Sequence, residues 1–281
     1  MSKISIIVDS TCDLNIEIMK SNKIIFAPLG VEIEGHMYQD KINITSKEFY
    51  EKIRKKDVFP KTSLVSPSAF EDLFKKELDK GNEVLCITLS SQLSGTYNSA
   101  NIAKNNLESD KIHIIDSKTS CSGAGMLILA AANLVKDGHD IDFIKKALDN
   151  IILNQICMIY VEDMEMLKRG GRVSGTAASL GSILKIKPIL TTKEGSVVLH
   201  SKARGKKAAF KDIVRIFEKE SLDRKYPIMV AHANNLEGAS NLISLLGCAA
   251  DGMDVLISEI GPAVGTHSGE GAIAIWAVKK H

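Results

Sequence analysis

Residues 3–8 and 84–89 are short, mostly apolar runs, and each stops at a hydroxyl-rich turn: Asp9-Ser10-Thr11 after the first, and the polar loop 90–96 after the second. A run of that length, closed by polar residues and followed by a helix-like stretch, reads as a strand buried on both faces. Residues 113–115, followed by Asp116-Ser117, repeat the pattern, and residues 24–29 read as a further strand. The intervening segments 13–21, 46–55, 68–78, 97–105 and 125–135 read as helices. The first has Thr11 or Asp13 near its cap, and the third has Pro67 near its first turn. Strands alternating with helices predict an α/β fold whose N-terminal domain, residues 1–153, is a mostly parallel, Rossmann-like sheet flanked by helices.

The pattern changes near Asn154. Residues 158–161 read as a strand, and 163–167 as a short helix closed by Lys168-Arg169-Gly170-Gly171-Arg172. Residues 186–191 and 196–199 flank Lys193-Glu194-Gly195, a hairpin signal. A basic helix over 206–220, a helix over 236–246, and strands at 228–232, 255–259 and 272–278 complete the chain. Hairpins mixed with helices predict a C-terminal α+β domain, residues 154–281, with a mixed or antiparallel sheet. A length of 281 residues accommodates two such domains.

Composition narrows the function. Lys and Arg number 36 against 34 Asp and Glu, and aromatic residues make up only 5%, so no global signal points to nucleic acid. The apolar run at residues 4–8 is too short for a signal peptide, and no stretch is long enough to span a bilayer. The five cysteines are scattered without a CxxC pair, which argues against zinc and redox motifs and fits a reducing, cytoplasmic location. Gly123-Ala124-Gly125 lacks the third glycine of a dinucleotide fingerprint, because Ile128 stands there, and reads as close helix packing. Gly205-Lys206 lacks the rest of a phosphate-binding loop, and no GxSxG elbow surrounds Ser94. No cofactor and no metal are expected.

In open α/β sheets, ligands bind beyond the carboxyl ends of the strands. Those ends carry Asp9-Ser10-Thr11, Ser94-Gly95-Thr96 and Asp116-Ser117, with Thr62-Ser63 in the loop before Pro67. Ser94 reads either as a helix cap or as one wall of an anion site at a helix N-terminus, with Gly95 allowing close approach. The second cluster is a glycine-rich loop over residues 261–269, where His267 reads as an anion partner or as a solvated histidine. The basic runs 168–172 and 202–207 read as solvated faces or docking surfaces.

Three segments carry a resemblance: Ser91-Gln92-Leu93-Ser94-Gly95-Thr96-Tyr97-Asn98-Ser99-Ala100, the run 163–172, and Gly261-Pro262-Ala263-Val264-Gly265-Thr266-His267. With Asp9-Ser10-Thr11 at one end and Trp276 at the other, the chain resembles the DegV family of fatty-acid-binding proteins, which includes the FakB subunits of bacterial fatty acid kinase. The resemblance implies a long-chain fatty acid such as palmitate as ligand, with its tail in an apolar tunnel and its carboxylate at the domain interface. Carried over by position, Thr62 and Ser94 meet the carboxylate, with Ser63, Gly95, Thr96 and His267 beside them. Arg169 and Arg172 fall on the surface expected to meet a FakA-like kinase. The implied protein is a lipid carrier with transient membrane contact, and not itself an enzyme. Ile183-Leu184 and residues 186–190 are candidate tunnel walls.

Two departures from the family pattern stand out: Leu64-Val65 follows the Thr-Ser pair in place of Gln-Pro, and Glu270 puts a negative charge close to the expected anion site. Two rivals come from other classes. One is a serine hydrolase using Ser94 with His267 as base. The other is a small carbonyl- or sugar-binding protein related to dihydroxyacetone kinase, with His267 holding the carbonyl.

Overall fold

The computed structural model describes residues 3–54, 58–162, 164–173 and 186–280. Four parallel strands, β1 (Ile4–Asp9), β2 (Ile25–Ala27), β6 (Glu83–Thr88) and β7 (Ile112–Asp116), form one sheet in the order β2-β1-β6-β7. Helices connect them: α1 (Ile16–Ser21), α2 (Ser46–Ile53), α3 (Pro67–Leu78) and α4 (Thr96–Leu107). Beyond β7 come α5 (Cys121–Lys136) and α6 (Ile141–Asn154). Sequence signals set several of these ends. Thr45 and Glu48 form a reciprocal capping box on α2, and Ser66 caps α3 with Pro67 in its first turn.

The second sheet has six strands, ordered β10-β9-β8-β13-β11-β12. These are β8 (Gln155–Tyr160), β9 (Ile186–Lys193), β10 (Ser196–Arg204), β11 (Ile228–His232), β12 (Val255–Glu259) and β13 (Ile273–Val278). All neighbours are antiparallel except β11 and β12, so the sheet is mixed, as expected from the hairpin signal. Four helices belong to this half: α7 (Glu165–Gly170), α8 (Lys206–Glu218), α9 (Leu236–Leu246) and α10 (Pro262–Ser268).

Strand alternation divides the core in two. Tyr160, Val230, Ile273 and Ile275 point to the outer face of the six-stranded sheet, where Phe210, Ile213, Phe217 and Leu242 of α8 and α9 cover them. Cys157, Met229, Ala274 and Trp276 point to the inner face and share one core with the parallel sheet. α5 lies between the sheets, packed against β1 and β6 on one side and β11 and β13 on the other. It fits because Gly123 has room only for hydrogen beside Trp276, and because Gly125 rests on the Cys12 carbonyl. Close packing is thus the role of Gly123-Ala124-Gly125.

Four local expectations need correction. A three-stranded antiparallel sheet, β4-β3-β5, was not anticipated; its strands β3 (Gly30–Ile33), β4 (His36–Gln39) and β5 (Lys61–Ser63) are only three or four residues long, and the alternation in β3 covers just Val31 and Ile33. The helix expected from residue 13 begins at Ile16, capped by Asn15, while Ser10–Cys12 forms a separate 3-10 turn. Helix α6 was not singled out from the sequence. The glycine-rich segment 261–269 is not a loop but mainly helix α10, with Pro262 in its first turn. Lys55, Asp163 and Ile183-Leu184 lie outside the described residues. Among the described residues, no helix is long and apolar enough to cross a membrane.

Candidate functional site

The inner face of the six-stranded sheet does not meet the parallel sheet everywhere. A cavity with about 820 Å³ of atom-free space, mouth included, lies between them. Ile159, Val161, Leu190, Val197, Ala274 and Trp276 form one wall, and Leu29, Leu89 and Leu93 come from the N-terminal half. Ala272, just before β13, and Ala274 within it both face the cavity, where larger side chains would fill it. The lining is overwhelmingly apolar, and its polar groups are few: Thr62, Ser94, Arg172, His267 and Ser268, with Thr11 and Ser120.

Thr62, Ser94, Arg172 and His267 come from four separate elements. Thr62 is the central residue of β5 and pairs with Val31. Ser94 ends the loop after β6 and sits just before α4. Arg172 follows α7, and His267 lies in the last turn of α10. Thr62 Oγ1 lies 3.0 Å from His267 Nε2. Nδ1 of His267 is buried without a hydrogen-bond partner and rests against Gly170, where even a methyl group would overlap it. A lone acceptor is the less costly group to leave unpaired, which places the proton on Nε2. Nε2–H then donates to Thr62 Oγ1, and the threonine hydroxyl is left with a hydrogen to give.

Burial, reinforced by the nearby Arg172 guanidinium, pushes the His267 pKa down to about 4, so the ring is neutral near pH 7. Arg172 is turned inward: its Nε donates to the Leu93 carbonyl at 3.2 Å and its Nη1 to the Gly170 carbonyl at 2.5 Å. Ser94 Oγ lies 2.9 Å from Thr96 Oγ1 and accepts from the Thr96 amide at 3.3 Å. It therefore serves the start of α4 while also lining the cavity, so the two readings of Ser94 do not exclude each other. These groups form one neutral-to-cationic end on an apolar cavity, which suits a single anionic head on an apolar tail.

Other expected site residues fall elsewhere. Ser63, next in β5 to Thr62, faces the opposite way and packs against Gly30. Gly95 is exposed beside Leu64, and Thr96 is buried behind Ser94; neither lines the cavity. Of the two arginines assigned to a partner surface, only Arg169 is exposed, paired with Glu165 and stacked 3.5 Å from the Phe59 ring centroid. The charge of Glu270 is met by Arg54 at 2.6 Å and by Asn234 Nδ2 at 2.6 Å, which keeps its carboxyl below the usual range. The hydrolase rival wants Ser94 on His267, but the His267 Nε2 bond goes to Thr62. Of the expected wall at residues 186–190, Leu190 lines the cavity; sequence reasoning missed the parts of the wall from Ile159, Val161, Ala274 and Trp276, and Arg172's inward turn. The continuous apolar run 272–278, with small Ala272 and Ala274 two residues apart, was the available signal for the wall.

Comparison with known proteins places this architecture among relatives. The profile of the family described as "Uncharacterised protein, DegV family" matches residues 3–280. The chain is similar to a DegV domain-containing protein of Halalkalibacterium halodurans, 36% identical over 283 residues and covering 100% of both chains. It is similar in structure to a fatty-acid-binding DegV family protein of Thermus thermophilus, with TM-score 0.90 and 28% identity over 99% of this chain and 100% of the other. It is also similar to DegV of Bacillus subtilis, described as a fatty acid binding protein, with TM-score 0.86 and 32% identity over 99% and 100%.

Proposed function

This chain belongs to the DegV family, and from that premise we propose that it binds one long-chain fatty acid, its tail in the cavity between the sheets and its carboxylate at Thr62, Ser94, Arg172 and His267. The observation that carries this reading is the distribution of polarity: hydroxyls, a histidine and an arginine gather at one end of a lining that is otherwise apolar. Each buried methylene contributes about 0.8 kcal/mol, so a dozen supply roughly 10 kcal/mol before the costs of association. Hydrogen bonds to the charged head add about 1.5–3 kcal/mol each and fix its position. Thr96 supports the head from behind by holding Ser94.

The protein on this reading is a carrier. It keeps the acyl chain out of water and offers the carboxylate to a separate ATP-using fatty acid kinase in the cytoplasm. Exposed Phe59 and Leu64, together with the exposed Arg169, support transient contact with a membrane or a kinase, because they combine apolar surface with a cation. Residues 1–153 would supply the hydroxyl-bearing rim and residues 154–281 the apolar wall.

Calorimetric titration of delipidated protein with palmitate, followed by incubation with ATP, tests this function. Saturable binding at one site without acyl phosphate supports a carrier. ATP-dependent phosphorylation by this chain alone would sink it.

A further inference from the structure

Behind the cavity, the N-terminal half reaches across to the helix that carries His267. Asp13 Oδ1 accepts the Gly261 amide at 2.9 Å, at the N-terminal end of α10. Asp40 lies against the same residue, its Oδ1 close to Gly261, and its Oδ2 takes a hydrogen bond from Ser10 Oγ at 2.7 Å. Ser10 Oγ in turn accepts the Leu29 amide at 3.1 Å. Tyr50 Oη donates to the Ile260 carbonyl at 3.0 Å, and Gly265 lies flush against Tyr50 and Phe49. Asp13 and Asp40 are 3% and 0% exposed, so both carboxylates sit in protein interior.

This is a costly way to hold a two-turn helix. Two buried carboxylates need a counter-charge, and Lys41 supplies it, 3.0 Å from Asp13. Both partners of that ion pair are in the left-handed backbone region, Asp13 at φ 49° and Lys41 at φ 63°, a conformation unfavourable for such residues. Apolar packing would anchor a helix without these costs. Carboxylates do suit a helix N-terminus, and bonds from an ionised acceptor are short and directional. Directional bonds fix orientation, and the group whose orientation matters is at the other end of α10. There His267 is held between Gly170 and Thr62.

We infer that Asp13 is a positioning residue for His267: it clamps the start of α10 to the N-terminal half and so sets the imidazole against Thr62 in the cavity wall. The inference rests on the fatty-acid reading only for the identity of the ligand. Lys41 makes the clamp tolerable, and Tyr50 restrains the strand end that leads into the helix.

The test uses the full chain with labelled histidine and the variant Asp13→Asn. Without ligand, NMR of the His267 ring should show its titration midpoint rising by at least about one pH unit, as a loosened ring gains solvent. With ligand, palmitate should bind at least about tenfold more weakly while hexadecanol, which lacks the charged head, changes by less than about twofold. An unchanged ring signal, or equal loss for both ligands, would show that the cluster merely holds the fold and would overturn the inference. If wild-type protein binds neither ligand, the fatty-acid reading fails, and the ring signal alone decides the clamp. Should that variant not fold, Tyr50→Phe removes a single bond; a smaller shift of the ring signal in the same direction is expected, and no shift would contradict the clamp.

Discussion

Thr62 Oγ1 and His267 Nε2 meet at 3.0 Å across 205 residues of sequence, joining a short strand of the N-terminal half to the last turn of α10. On the proposed reading the threonine is a relay, in which the histidine fixes the hydroxyl and the hydroxyl would meet the carboxylate. Thr62→Val keeps the shape and removes the hydrogen bond. It should weaken palmitate binding by about 1.5–3 kcal/mol, roughly ten- to a hundredfold. Titration calorimetry reads this directly, and an unchanged affinity would remove Thr62 from the site.

The cavity wall makes a prediction about size. Ala274 points inward from β13 and is 4% exposed. Ala274→Leu adds three carbons to the space assigned to the tail. Binding of long chains should fall by tenfold or more, about 1.4 kcal/mol, while denaturant stability of the empty protein changes little, because the added side chain fills a void. Parallel binding and unfolding measurements separate the two effects.

The pH dependence has a definite sign. His267 titrates near pH 4 in the folded chain against 6.5 ordinarily, so between those values the unfolded chain binds more protons. Its contribution to stability is therefore present above about pH 6.5 and is lost as pH falls through about 4, a change of about 3 kcal/mol. Asp40 works the other way: burial raises its carboxyl to about 6, so its contribution declines as pH rises from 3.8 to about 6. In urea unfolding, the change in stability on going from pH 4.5 to 7.5 should be shifted toward lower stability at pH 7.5 in His267→Gln relative to wild type, because the opposing Asp40 contribution is then no longer offset. An equal change in the two proteins would contradict the assignment.

Lys41 compensates buried carboxylates, with 12% of its side chain exposed and none of that of Asp13. Lys41→Met leaves that charge without its partner. A loss of about 3–5 kcal/mol in chemical denaturation is expected, the usual consequence of breaking a buried pair from one side. A loss under about 1 kcal/mol would place the pair with surface salt bridges.

Much of this architecture was legible because strand ends and caps are local. The apolar runs stopped at β1, β6 and β7, and Ser66-Pro67 marked the start of α3. Thr62, Ser94 and His267 stood out as polar residues in segments the family shares, and the fold brings all three to one cavity. What escaped was non-local or disguised. Strands β3, β4 and β5 have three or four residues each, so the alternation of Val31 and Ile33 in β3 is too brief to stand out, and β4 and β5 are largely exposed. Helix α10 hid behind four glycines within residues 261–271, although Pro262 was a valid helix-start signal. Asp40 and Lys41 gave no pattern, and Asp13 read only as a local helix cap, because its partner is the Gly261 amide at the start of α10, 248 residues away.

The most direct test of the central claim is native mass spectrometry of the protein as purified from a bacterial host, followed by denaturation and identification of what is released. The account predicts one long-chain fatty acid per chain, retained through purification and reduced or lost in Thr62→Ala and Ser94→Ala. A chain that arrives empty and stays empty after exposure to palmitate would contradict it.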